Sequence, residues 1–291
     1  MIITAIIHYI DQLSIFLLLS LIILHILHLN GPYKLPLSSF FRPFTRYEHF
    51  FMRLLFKILK TEWLYRNRLI RAIPEFVSYI AANGVRPAVY TLQQLEHAVN
   101  SIYQKNPPPQ FGVVLRPCPC RDAQGKYSKT LPNVTDVILT TNVKSLKKSP
   151  NNVFITKHQL IQKLRQFDEA GLVHIVLGCC GEEGFGIGIC NCHKSVCFVL
   201  LAYLGRGIKR GIAPGPSIAT CDSNLCKGID ACGKCLTRCI FHARSAKDGK
   251  GLVISERCLG CGLCSNTCES GATRMAPRKN PKELYFPLNC L

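Results

Sequence analysis

The feature that most constrains this chain is Cys258-Leu-Gly-Cys261-Gly-Leu-Cys264-Ser-Asn-Thr-Cys268, a C-x2-C-x2-C-x3-C run. That spacing lets three thiolates wrap one iron–sulfur cube while the fourth reaches across to a second. Gly260 and Gly262 fit the demand, because backbone must pass close to such a cube and adopt positive φ there. A second set, Cys226-x5-Cys232-x2-Cys235-x3-Cys239, stands upstream. A zinc ribbon would need only two C-x2-C knuckles and one tetrahedral S4 site. Two sets of four leave too many thiolates for it.

Residues 216–277 therefore resemble a bacterial-type ferredoxin module with two [4Fe–4S] clusters. The resemblance implies crossed ligation. Cys226, Cys232, Cys235 and Cys268 would hold one cluster, and Cys239, Cys258, Cys261 and Cys264 the other. Two departures stand out: Ile240 and Glu269 replace the proline that usually follows the fourth cysteine of each set, and five residues separate Cys226 from Cys232. Cys226 is thus the ligand the pattern specifies least.

The chain holds 17 cysteines in 291 residues and carries a formal charge of +19. Iron–sulfur ligands must be free thiolates, which favours a reducing compartment over a disulfide framework. The basic excess suits an anionic membrane surface or an acidic redox partner. No DNA-reading or RNA-binding motif is present, so no nucleic acid is expected. With 17 acidic residues and no Ser/His/Asp set, paired carboxylates or P-loop, little points to general acid–base catalysis.

Taken in order, residues 1–30 read as a transmembrane anchor, because 12–29 form an apolar run long enough to cross a bilayer. No Lys or Arg precedes the run, whereas Lys34, Arg42, Arg46, Arg53, Lys57 and Lys60 follow it. The positive-inside rule then expects a single-pass cell-membrane protein with its remaining domains in the cytoplasm. Residues 31–86 read as a basic amphipathic juxtamembrane segment, either touching anionic lipid or packed as an ordinary surface helix. Residues 87–215 read as a small α+β cysteine-rich domain, 216–277 as the dicluster domain, and 278–291 as a tail. The fold class expected is α+β with a transmembrane helix at its N-terminus.

Within 87–215, Thr91-Leu-Gln-Gln94 and Thr156-Lys-His-Gln159 are capping boxes that open helices. Phe111–Leu115, Val134–Thr140 and Leu172–Leu177 read as strands, and Lys194–Leu204 as a last helix. Gly181–Gly188 lacks the order of a nucleotide fingerprint and reads as a flexible loop. The segments Arg116-Pro-Cys-Pro-Cys-Arg121, Ala170-Gly-Leu-Val-His174 and Ile189-Cys-Asn-Cys192 resemble a group of ferredoxin-fused proteins with CPCR, GLVH and CNC motifs. Cys118, Cys120, Cys190 and Cys192, with Cys197 in reserve, are candidates for a further thiolate site. It would take a third iron–sulfur cluster or structural zinc, since both accept tetrahedral sulfur sets. The function expected is a membrane-anchored electron carrier serving a redox protein partner. The alternatives are a reductase acting at the upstream cysteines and a redox-sensing or assembly protein.

Overall fold

An apolar stripe at helical spacing starts the described part of the chain. The structure, a computed structural model, describes residues 48–66, 71–76, 78, 87–105, 108, 110–147, 150–181 and 184–279. Helix α1 (Glu48–Lys60) buries Met52, Phe56 and Leu59 and leaves Arg53, Lys57 and Lys60 exposed. A short α2 (Trp63–Arg66) follows and buries Leu64. Residues 1–77 and 78–291 form separate units.

The transmembrane expectation is corrected here. Among the described residues no helix is long and apolar enough to cross a membrane. The apolar run at 12–29 lies outside them. The described residues thus form an α+β fold in which no helix is long and apolar enough to span a membrane, and the expected single-pass assignment is corrected accordingly. Hydropathy alone had supported that assignment, and an apolar run has no unique structural meaning outside a bilayer.

The second unit is built on one sheet. Its first part runs β1 (Ala88–Tyr90), α3 (Leu92–Lys105), β2 (Gly112–Pro117), α4 (Pro119–Gln124), β3 (Val134–Thr140), α5 (Val143–Leu146) and β4 (Val153–Phe154). Then follow α6 (Lys157–Glu169), β5 (Val173–Gly181), β6 (Gly184–Cys192) and α7 (Phe198–Arg206). The six strands are ordered β1-β5-β6-β3-β2-β4, and each neighbouring pair is antiparallel. Both capping boxes close as their sequences dictate. Thr91 N donates to Gln94 Oε1 at 3.0 Å and Gln94 N to Thr91 Oγ1 at 3.2 Å. Thr156 and Gln159 repeat the arrangement at 2.9 and 3.3 Å.

One sheet face carries α3 and α6. Leu95, Val99 and Ile102 from α3 meet Leu160, Leu164 and Phe167 from α6 over Val113, Leu115, Val137, Leu139, Ile187 and Ile189. Burying each such side chain stabilises the fold by roughly 1.5–3 kcal/mol. The stretch expected to be a loop, Gly181–Gly188, largely belongs to β6, an interior strand of the sheet. Its glycines alternate with larger residues, so period 2 operates where propensity argues against a strand. A Cβ on Gly188 would come within 3.0 Å of Leu177. The small residue is what lets β5 and β3 side chains cover that face. Helix α7 also starts later than expected, because His193 O accepts the Val196 and Cys197 N–H groups in a preceding turn.

The remaining chain adds β7 (Ser217–Cys221), α8 (Lys234–Arg238), the hairpin β8 (Arg244–Lys247) and β9 (Lys250–Val253), α9 (Leu263–Asn266) and β10 (Thr273–Pro277). Strands β7 and β10 pair antiparallel. These pieces are too small to enclose a core of their own. They share one with the other sheet face: Val89, Val173, Ile175 and Leu200 pack with Phe241, Ala243, Leu259 and Leu263. Polar contacts pin the join. Arg238 Nη2 donates to the Asp168 and Glu169 carbonyls at 2.9 and 2.7 Å, satisfying the C-terminal end of α6. Asn266 Nδ2 donates to Asp168 Oδ2 at 2.8 Å.

Candidate metal centres

The C-terminal cysteines gather around two hollows. Cys226, Cys232, Cys235 and Cys268 line one, which encloses about 420 Å3 of atom-free space, part of it open to solvent. Cys239, Cys258, Cys261 and Cys264 line the other, of about 330 Å3. Each hollow thus takes three cysteines from one half of the module and one from the other. The crossing has a local cause. Helix α8 ends at Cys239, which leaves the first set and turns toward the second. The residues after α9 bring Cys268 back to the first.

Backbone donors point at the sulfurs. Gly251 N lies 3.4 Å from Cys226 Sγ, Ala243 N 3.3 Å from Cys239 Sγ, and Thr273 N 3.3 Å from Cys268 Sγ. Gly260 and Gly262 hold φ near +81° and +82°. A Cβ on Gly260 would stand 2.1 Å from Ser217 O, so only glycine lets this loop lie against β7. The hollows differ in exposure. Cys258, Cys261 and Cys264 are buried, whereas Cys232 is exposed at the mouth of the first hollow. Lys234 and Lys227 flank that mouth and pair with Glu269.

Thiol acidity follows the same division. A Gly251 N–H hydrogen bond lowers the Cys226 pKa. Burial raises Cys261, and the other thiols of its hollow add to the effect. Burial pushes Cys264 up to about 12, against the pull of the Arg244 guanidinium. A metal group held by Cys261 and Cys264 would have to displace protons that burial keeps on them.

Among the described residues no group of three or more His, Cys, Asp and Glu side chains is arranged to hold a metal ion. The all-sulfur donor sets and the volumes between them suit a multi-iron cluster instead, since its thiolates stand apart on different iron atoms. The residues of both hollows fit such a group.

The upstream cysteines also come together, in a different way. Cys118 precedes α4 and Cys197 precedes α7, each in the capping position. Cys190 and Cys192 lie two apart on β6 and so share its second face. Hydrogen-bonding contacts run from Cys118 to Cys120, on to Cys197, Cys192 and Cys190. Contacts from Cys120 and Cys192 hold the Cys197 thiol well below the usual range. Cys190 feels a hydrogen bond to Cys192 that favours its thiolate, but burial and Asp136 outweigh it and push the thiol up to about 12. Its Sγ donates to Asp136 Oδ1 at 3.1 Å, while Asp136 Oδ2 accepts from Arg116 Nε at 2.6 Å. Cys197, expected only as a reserve, sits in the middle of the chain of contacts. Cys192 and Cys197 belong to the same core as Cys258, Cys261 and Cys264.

An uncharacterized ferredoxin of Methanocaldococcus jannaschii is 32% identical to this chain over 59 residues, which are 94% of that protein and 20% of this one. The chain belongs to the ferredoxin family. It carries a ferredoxin-like iron–sulfur module, and four fifths of its length lie outside the matched segment. No protein-family model matches the chain. No solved structure does either.

Several residues around the ferredoxin module were not legible beforehand. Arg244 lines both hollows. Cys221, which belongs to neither set of four, hydrogen-bonds Cys226. His174 and Asn191, which carry the GLVH and CNC motifs, bond to each other at 2.6 Å in the buried interior. His174 Nε2 stands 3.6 Å from Asp168 Oδ1, and Asp168 is held in turn by Asn266 of the module. The motif pair was a signal for this buried network, although spacing alone did not say that the two residues meet.

Proposed function

We propose that the chain is an electron-transfer protein that holds two [4Fe–4S] clusters and passes single electrons to a redox protein partner. Cys226, Cys232, Cys235 and Cys268 bind one cluster; Cys239, Cys258, Cys261 and Cys264 bind the other. The observation that carries this reading is the crossed ring of four thiols around each hollow. When bound, such groups supply one-electron redox chemistry at potentials set by charge, hydrogen bonds and exposure.

The residues of the chain do the rest. N–H groups of Gly251, Ala243 and Thr273 face sulfurs and favour the anionic form. Phe241 and Leu259 give the second hollow an apolar wall. Exposed Cys232 marks the edge where a partner approaches most closely. The formal charge of +19 favours an acidic partner surface and fast, salt-sensitive association. Anaerobic purification with iron and sulfide analysis tests the reading: about eight of each per chain are expected. A preparation carrying zinc and no iron overturns it.

One observation favours a second reading, a reductase with its chemistry at the upstream thiols. Those thiols contact one another, and Cys190, Cys192 and Cys197 pack in the same core as the second hollow. About twelve iron per chain would mark a third cluster there. Substrate-dependent turnover that disappears in Cys190→Ala/Cys192→Ala, with eight iron retained, would establish the reductase.

A further inference from the structure

Arg244 opens β8 between the two hollows and lines both of them. It is 8% exposed. Among the described residues only its Nη2 has an oxygen partner, Thr273 Oγ1 at 3.0 Å. Nε and Nη1 are buried without a hydrogen-bond partner. The Cys235 and Cys221 thiols hydrogen-bond the guanidinium, and Cys264 of the other hollow interacts with its charge; none of them bonds Nε or Nη1. Among the described residues no carboxylate pairs with it. A guanidinium cannot give up its proton to escape burial. An unpaired buried charge is costly, and such charges are retained where an opposite charge compensates them.

We propose that Arg244 is a shared electrostatic clamp: its unpartnered N–H groups face the sulfur of both clusters, and its charge raises both reduction potentials together. The inference rests on the two-cluster reading above. The physical reason is Coulombic. Four-thiolate clusters are net anionic, and each added electron makes them more so. A fixed cation in a low-dielectric interior therefore stabilises the reduced form more than the oxidised one. A single guanidinium between two hollows couples them as well, because reducing one cluster spends part of the field available to the other.

The test is an EPR-monitored redox titration of the full chain beside Arg244→Met and Arg244→Lys, with iron counted in each. Arg244→Met should shift both couples to lower potential, by at least tenfold in the reduced-to-oxidised ratio at fixed potential, or about 59 mV for one electron. Arg244→Lys, which keeps the charge, should recover most of that shift. Where Arg244→Met does not load iron, Arg244→Gln takes its place, since it removes the charge and keeps a polar side chain. Two loaded clusters whose potentials do not move, or only one of which moves, overturn the clamp and leave the two-cluster reading standing. A wild-type chain without iron overturns both.

Discussion

Around the upstream thiols stands a six-stranded sheet with two capped helices and a large apolar core. Around the eight thiols of the ferredoxin module stand helices of five and four residues and two two-stranded sheets. The first region has enough buried apolar surface to fold whatever its cysteines do. The second does not, and its chain winds around hollows instead of filling them. Ligation must supply the folding free energy that packing supplies elsewhere. The shared core complicates that division, because Cys258, Cys261 and Cys264 also pack against the sheet.

The sharpest way to break the comparison is Cys261→Ala. Removing a buried ligand should lower iron from about eight to about four per chain. It should also weaken the sheet, since Cys261 lies in the common core. Retention of all iron would show that the thiols of the second hollow are assigned wrongly.

Gly260→Ala comes next. The new Cβ would meet Ser217 O at 2.1 Å in a residue held at positive φ. Urea unfolding should show a loss on the order of 3 kcal/mol. If far-UV circular dichroism of the sheet survives while iron is lost, the two regions fold separately and the common core matters little.

Asn191→Ala removes the partner of His174 and of Thr135 O, contacts of 2.6 and 2.7 Å in the interior. Stability should fall by about 1–3 kcal/mol, with the EPR signals unchanged. Altered EPR would mean that the network reaching Asn266 also positions the cluster loops.

Cys190→Ala with Cys192→Ala should cost about 1 kcal/mol, typical of a modest core change, and keep about eight iron. Loss of module iron would erase the distinction between the two cysteine systems.

The smallest effect concerns the rim of the first hollow. Lys234 hydrogen-bonds Glu269 and, with Lys227, holds its carboxyl below the usual range. A depressed pKa contributes stability above the ordinary carboxylate range and loses it as pH falls through the depressed value. Glu269→Gln should therefore lower the melting temperature slightly at neutral pH, with the difference fading under acid conditions. An exposed pair is worth little, so a large loss would show that Glu269 has a further partner.

Much of the second unit was legible because its signals are local. Thr91 and Thr156 with their glutamines start helices through hydrogen bonds spanning three residues. Val134–Thr140 is rich in β-branched residues and forms the strand it suggests. The cysteine spacing marked the ferredoxin module for the same reason, since three ligands of a cube must come from one short loop. Where a signal depends on what covers a segment, local reading failed. Gly184–Cys192 has poor strand propensity and becomes an interior strand because Leu177 and Ile138 occupy the space its glycines leave. Only the tertiary structure put Cys197 at the centre of the upstream thiols and set Arg244 between the two hollows. These pairings join residues far apart in the chain, and burial, which gives a lone arginine or thiol its chemistry, belongs to the packed molecule and not to any window of sequence.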